Sequence, residues 1–221
     1  MVDRLKDKVA VITGGGGAMG GAQARLFASE GASICIADNR FEAARSVCDD
    51  ITQSGGVAIA VELDVRSAEM WVQTIAQTEE QLGHVGVLCN NAGANFRVGF
   101  EEQTEEQFRL IMDVGLTGSF LGIQAVVPSM RKFGSGVILN MGSLAAIRPG
   151  GGSPGYAAQK MAMIGLTRSA AHSRPTTSMS TTSTSRAACD RFSKHTLETY
   201  FEHGRFSRSE RQGRRSNRRT R

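Results

Sequence analysis

No stretch of this 221-residue chain reads as apolar and long enough to cross a membrane, and its amino terminus carries no secretory pattern. Its four cysteines fall at no metal-binding or redox spacing. These absences point away from a membrane protein, a disulfide scaffold and a metal site, and toward a reduced, cytoplasmic protein with one sizeable core. Cys35 and Cys89 lie in short apolar runs, where a thiol acts as a small buried hydrophobe. One further shortage is local: no valine or isoleucine follows Ile164.

What is present is an alternation of two periods. Short apolar runs at 8–13, 33–37, 57–63, 85–89 and 136–140 read as buried parallel strands. Helical segments lie at 22–30, 41–53, 67–82 and 104–130, the last opening on Thr104 and Gln107 as a capping box. Strands alternating with helices of this length predict an α/β fold, a doubly wound parallel sheet with both faces covered.

The first strand runs into Gly14-Gly15-Gly16-Gly17-Ala18-Met19-Gly20 and then a helix. Glycines let the backbone approach a pyrophosphate, and the helix N-terminus offers it free N–H groups and a positive dipole end. The second strand ends at Asp38, placed to accept hydrogen bonds from ribose hydroxyls. A 2′-phosphate would meet that carboxylate, so NAD is expected over NADP, with Arg40 as the one nearby group that softens the preference.

Tyr156 and Lys160 are four residues apart, and Ser143 stands thirteen residues before the tyrosine. A phenol with the ordinary pKa of about 10 is a poor base at neutral pH, and an ammonium on the same helical face favours its phenolate. A serine hydroxyl nearby holds the substrate oxygen while the tyrosine moves the proton.

Taken together and in order, Thr13–Gly20, Asp38, Leu63-Asp64-Val65, Asn90-Asn91-Ala92-Gly93, Leu116-Thr117-Gly118, Ser143, Tyr156 and Lys160 resemble the short-chain dehydrogenase/reductase family over residues 1–171. The resemblance implies a Rossmann-type sheet and a nicotinamide dinucleotide held by Thr13, Gly14, Gly15, Gly16, Gly17, Met19, Gly20 and Asp38. Asp64 and Val65 would sit against the adenine, and Asn91, Ala92 and Gly93 would line the cofactor. It implies that Ser143 orients the substrate, that Tyr156 is the acid/base, and that Lys160 assists it and binds the nicotinamide ribose. A homo-oligomer through the helices at 104–130 and 154–171 is implied as well.

The chain departs from the family in three places. Ala18 stands where the family has a glycine, which predicts weaker cofactor binding at most. Gly115 replaces an asparagine that interrupts a helix and holds a water leading to the lysine, which predicts reduced rather than abolished catalysis. The third departure is the ending. Residues 172–221 carry 12 Lys+Arg against 4 Asp+Glu, with seventeen serines and threonines. No further buried strand is legible there. The segment reads as a basic tail outside the 1–171 core. It is either a disordered extension, an unusual replacement for the substrate cover, or an out-of-frame version of the family's ending, the reading its abrupt composition favours.

The function expected is interconversion of a secondary alcohol and a ketone by hydride transfer to or from NAD. A 3-oxoacyl reductase and a non-catalytic dinucleotide-binding protein are the alternatives. Nucleic acid rests only on the basic tail and is not the expected partner. A membrane partner is not expected either.

Overall fold

In the computed structural model the described residues are 3–148, 152–172 and 178–183. Six parallel strands stand in the order β3-β2-β1-β4-β5-β6. They are β1 (Val9–Thr13), β2 (Ser33–Asp38), β3 (Val57–Glu62), β4 (Val85–Asn90), β5 (Val137–Gly142) and β6 (Ser178–Ser183). β1 and β4 are buried at every residue, which is why they read as unbroken apolar runs rather than alternating ones. The strand order reverses between β1 and β4, so the carboxyl ends of these two strands open a crevice.

The helices are α1 (Ala18–Ser29), α2 (Phe41–Gln53), α3 (Ala68–Leu82), α4 (Glu105–Met112), α5 (Gly118–Lys132) and α6 (Pro154–His172). α1 packs on α2, and α3 packs on α5. Right-handed crossovers put these two pairs on opposite faces of the sheet. Ser67 caps α3 by accepting the Met70 N–H, and Thr104 with Gln107 forms the expected capping box of α4. Trp71 is fully buried between α3 and the sheet, its indole N–H donating to the Val65 carbonyl at 3.0 Å. The buried thiols of Cys35 and Cys89 are inert, burial pushing Cys35 up to about 12 and Cys89 higher still.

Three features differ from the sequence reading. The helix expected over 104–130 is two helices joined by a π-turn, Asp113–Thr117, with Gly115 buried in it. By length and a mean hydropathy of 1.7, the stretch Glu105–Lys132 is apolar enough to cross a membrane, although no such stretch was expected. Its apolarity has a local cause: Ile111, Ile123, Val126 and Met130 are buried in the fold. Finally, β6 pairs in parallel with β5 from Val137↔Ser178 to Gly142↔Ser183, where no strand was legible. Ladder pairing uses backbone groups, and threonine suits a strand without supplying the apolar run that marks a buried one. The expected disorder of the rest of the tail lies outside the described residues.

Thr13 closes the fold where the strand order reverses. Its hydroxyl donates to the Cys89 carbonyl (3.3 Å) and accepts the N–H groups of Asn91 (3.0 Å) and Ala92 (3.1 Å). Thr13→Val keeps the shape and strands the Ala92 N–H, while the Asn91 N–H and the Cys89 carbonyl keep their own bond at 3.0 Å, so urea unfolding should show a loss of about 1–3 kcal/mol. A loss below about 0.5 kcal/mol would mean that water satisfies that group instead.

Candidate active site

A groove of about 470 Å³ runs along the carboxyl ends of β2, β1 and β4. Of the residues assigned to the cofactor from sequence, Gly14, Gly17, Met19, Gly20, Asp38, Asp64, Val65, Asn91, Ala92 and Gly93 line it. Gly15 and Gly16 lie behind this surface: a Cβ on Gly15 would sit 2.6 Å from Ile36 Cγ2, and one on Gly16 2.7 Å from Ala43 Cβ. Gly20 packs α1 onto the turn, since a Cβ there would meet the Gly14 carbonyl oxygen at 2.3 Å. Gly14 has a φ of 62°, which only glycine adopts without strain.

No side chain caps α1. Its first helical bond is from Gly21 N–H to Gly17 O, so Ala18, Met19 and Gly20 have N–H groups without intrahelical acceptors. That row of donors at a positive dipole end fits the pyrophosphate of a dinucleotide. Ala18 is exposed, and its methyl lines the groove.

Asp38 is buried, its carboxylate accepting the N–H groups of Gly16 (3.0 Å) and Arg40 (2.9 Å). Arg40 Nε lies 3.5 Å from the same carboxylate. Asp64 is gripped by Arg66 through both oxygens at 2.6–3.0 Å, a partner the sequence reading did not assign. The Arg66 guanidinium beside it holds the Asp64 carboxyl below the usual carboxylate range.

Ser143, Tyr156 and Lys160 do not line this groove; they stand one strand further on, at the end of β5 and on α6. Ser143 Oγ accepts the Ala145 N–H at 3.1 Å, which leaves its own proton free for another acceptor. Lys160 is buried and donates to the Met141 carbonyl at 2.7 Å, with Nζ 5.5 Å from the centre of the Tyr156 ring. Burial pushes the Lys160 ammonium down to about 8.

The sequence reading missed the clamp that aims Tyr156. Ser153 Oγ accepts the Tyr156 N–H (3.4 Å) and the Gln103 Nε2–H (3.0 Å), while Gln103 Oε1 accepts the Gly155 N–H (2.8 Å). Asn95 adds a bond from the Ser153 N–H to its Oδ1 at 3.3 Å. Ser153-Pro154 was a legible signal, a capping serine followed by proline at the first helical position. Gln103 and Asn95 carried no local signal. Phe108 Cδ2 would lie 2.9 Å from a Cβ on Gly155, and Phe96, Phe100, Leu144 and Ile147, on the segments that follow β4 and β5, are exposed.

The groove lies at the carboxyl ends of β2, β1 and β4, and Ser143 with the helix carrying Tyr156 and Lys160 follows the adjacent strand β5. The chain belongs to the short chain dehydrogenase family, whose model matches residues 8–197. Enzymes of this family use NAD(P) as a class. The chain is 40% identical over 171 residues to a 2,5-dichloro-2,5-cyclohexadiene-1,4-diol dehydrogenase of Sphingobium indicum, covering 77% of this chain and 68% of that protein. It is 35% identical to a trans-4-hydroxycyclohexanecarboxylate dehydrogenase of Sinomonas cyclohexanicum (76% and 67% covered). It is also 35% identical to a 3-alpha-(or 20-beta)-hydroxysteroid dehydrogenase of Mycobacterium tuberculosis (77% and 65% covered).

The lysine leaves a signature in stability. Its folded pKa, about 8, lies below the ordinary lysine value of 10.5, so between these pH values the unfolded chain binds more protons. Stability from this group therefore rises with pH across that window, by on the order of 3 kcal/mol. In the cofactor-free protein, Lys160→Met should raise the melting temperature at pH 7, and the gap to the unaltered chain should narrow as pH climbs from 8 toward 10.5. A gap that stays constant with pH would rule out a depressed lysine.

Proposed function

We propose that this chain interconverts a secondary alcohol on an apolar ring and the corresponding ketone, with NAD as the partner. The observation that carries the proposal is adjacency: the groove from Asp38 to Gly93 opens at the carboxyl ends of β2, β1 and β4, and Ser143 follows the neighbouring strand β5 while Tyr156 and Lys160 stand on α6, with Lys160 bonded to Met141 of β5. The dinucleotide-binding and catalytic parts lie within 1–171 in this reading. When bound, the nicotinamide accepts or returns the hydride of the carbinol carbon.

The chain's own groups handle everything else. Ser143 donates its hydroxyl hydrogen to the substrate oxygen and fixes that oxygen near Tyr156. The Tyr156 phenolic oxygen takes the alcohol proton in the oxidising direction and returns it in the other. Lys160, held on the Met141 carbonyl, places a positive charge beside the ring that stabilises a phenolate once the proton has left. The Gln103–Ser153 clamp fixes the turn from which Tyr156 projects. Asp38 supports NAD, because a carboxylate already committed to two backbone N–H groups would repel a 2′-phosphate.

A ring substrate is supported by the exposed apolar residues on the segments after β4 and β5 and by the relatives named for cyclohexadiene, cyclohexane and steroid alcohols. A homo-oligomer through the helical stretches 105–132 and 154–172 and a cytoplasmic location belong to the same reading. Exposed Phe120 and Met161 on those stretches support the first, and free cysteines at 35, 48 and 89 suit the second.

The deciding assay is NADH formation from NAD with cyclohexanol and trans-4-hydroxycyclohexanecarboxylate as probes. Tyr156→Phe should lower kcat at least about 1000-fold and change NADH affinity less than about threefold. NADH binding without turnover by the unaltered chain would make it a non-catalytic dinucleotide-binding protein. In the same titrations Ala18→Gly should tighten NADH binding about threefold by removing the methyl from the pyrophosphate turn. Unchanged affinity would mean that the neighbouring glycines absorb that methyl.

A further inference from the structure

Gly115 and Gln159 belong together. Gln159 is buried to 1% exposure on α6, next to Lys160 and three residues after Tyr156. Its side chain lies over the π-turn. A Cβ on Gly115 would sit 2.6 Å from Gln159 Cδ and 2.7 Å from Gln159 Nε2. The amide thus fills the space that any side chain at 115 would enter. Gln159 Nε2 finds no hydrogen-bond partner among the described residues, although it is fully enclosed. A primary amide left in that state is destabilising, so leucine of similar size would suit a purely structural role better. The carbonyl of Gly115 accepts the Ser119 hydroxyl at 2.8 Å, so the turn carries a polar face beneath the amide.

Lys160 needs partners as well. An ammonium has three donors, and among the described residues one of them is engaged, at Met141. Titratable groups on the surrounding described elements are few. Tyr156 and Arg168 share α6. Asp113 on the π-turn acts on Arg66, α4 carries Glu106 and the exposed Glu105–Arg109 pair, and β5 has no ionisable side chain. Among the described residues no carboxylate pairs with the lysine.

We propose that Gln159 is a positioning residue for Lys160: seated over Gly115, its amide supplies the polar group that the π-turn lacks and, through a bound water, holds the ammonium in place. An amide both donates and accepts, so it can accept a hydrogen bond from the water or donate one to it, while the lysine ammonium donates the other bond to the water oxygen. This rests on the proposed roles of Tyr156 and Lys160, and it explains how a glycine at 115 is compatible with an otherwise complete site.

The test uses the full chain with Gln159→Leu, Gln159→Ala and the double variant Gly115→Asn/Gln159→Ala, in which the asparagine occupies the vacated space. Two readouts are needed. The first is the titration of Lys160 by NMR of protein labelled at lysine Cε; the chain has five lysines, and Lys160→Met assigns the signal. The second is the pH profile of kcat with cyclohexanol and NAD. Gln159→Leu should fold, lower the Lys160 midpoint by at least about half a pH unit, and cut kcat about tenfold with little change in KM. The double variant should recover both to within about threefold of the unaltered chain, and Gln159→Ala alone should not.

An unmoved Lys160 midpoint in Gln159→Leu overturns the inference, as does a double variant no better than Gln159→Ala. Should Gln159→Leu fail to fold, the alanine and double variants decide. Should the unaltered chain turn over no alcohol, the proposed function fails while the NMR midpoints still decide this point.

Discussion

At the crevice between β1 and β4, one hydroxyl ties together the backbone at the ends of the two strands. Where parallel strands part, N–H and C=O groups lose their ladder partners, and leaving them buried and unpaired is costly. Thr13 meets much of that demand with one donated and two accepted bonds, across 76 to 79 residues of sequence, and the Asn91 N–H also donates to the Cys89 carbonyl at 3.0 Å. Asn91 adds its amide to the Gly14 carbonyl at 3.4 Å. The strands can therefore separate without exposing unsatisfied backbone, and the groove forms in the gap. The close seat of Gly20 on Gly14 then sets α1 with its uncapped N-terminus toward that gap.

A second polar chain carries the same logic across the sheet to the chemistry. Asn90 on β4 donates to Asn140 on β5 at 2.8 Å, Asn140 donates to Thr167 on α6 at 2.9 Å, and Thr167 donates to the Met163 carbonyl at 2.8 Å. All three side chains are buried. In a low-dielectric interior such a network is stabilising only when complete, which makes it demanding about register. One register of α6 satisfies it, and that register also brings Lys160 to Met141 and Tyr156 over the end of β5. Apolar packing alone would tolerate more slippage than a proton-transfer site allows.

The parts of this molecule written in local sequence were readable. Strand ends fell within two residues of expectation because both-face burial demands unbroken apolar runs, as in β1 and β4. The Thr104–Gln107 capping box and the Gly14–Gly20 turn are short-range devices, and each was legible for that reason. The parts that depend on distant partners were not. Gln103 and Asn95 act on a helix some fifty residues away, and nothing around them announces it. Arg66 takes hold of Asp64 only because the turn after β3 points the two side chains together. β6 was illegible for a different reason: its pairing with β5 relies on backbone, and its serines and threonines leave no apolar run to recognise.

Position 115 shows why a departure from a family pattern cannot be judged residue by residue. Taken alone, glycine there means a lost amide and a weakened helix. In the fold, the π-turn widens the backbone at that point, and a side chain from another helix occupies the opening. The contact also bears on the most obvious probe. Gly115→Asn by itself would drive its Cβ to 2.6 Å from Gln159 Cδ, so a loss of turnover in that variant would report a collision between α6 and the turn. Chemistry and packing separate only when both positions change together, because the two residues share one volume and one amide is all it holds.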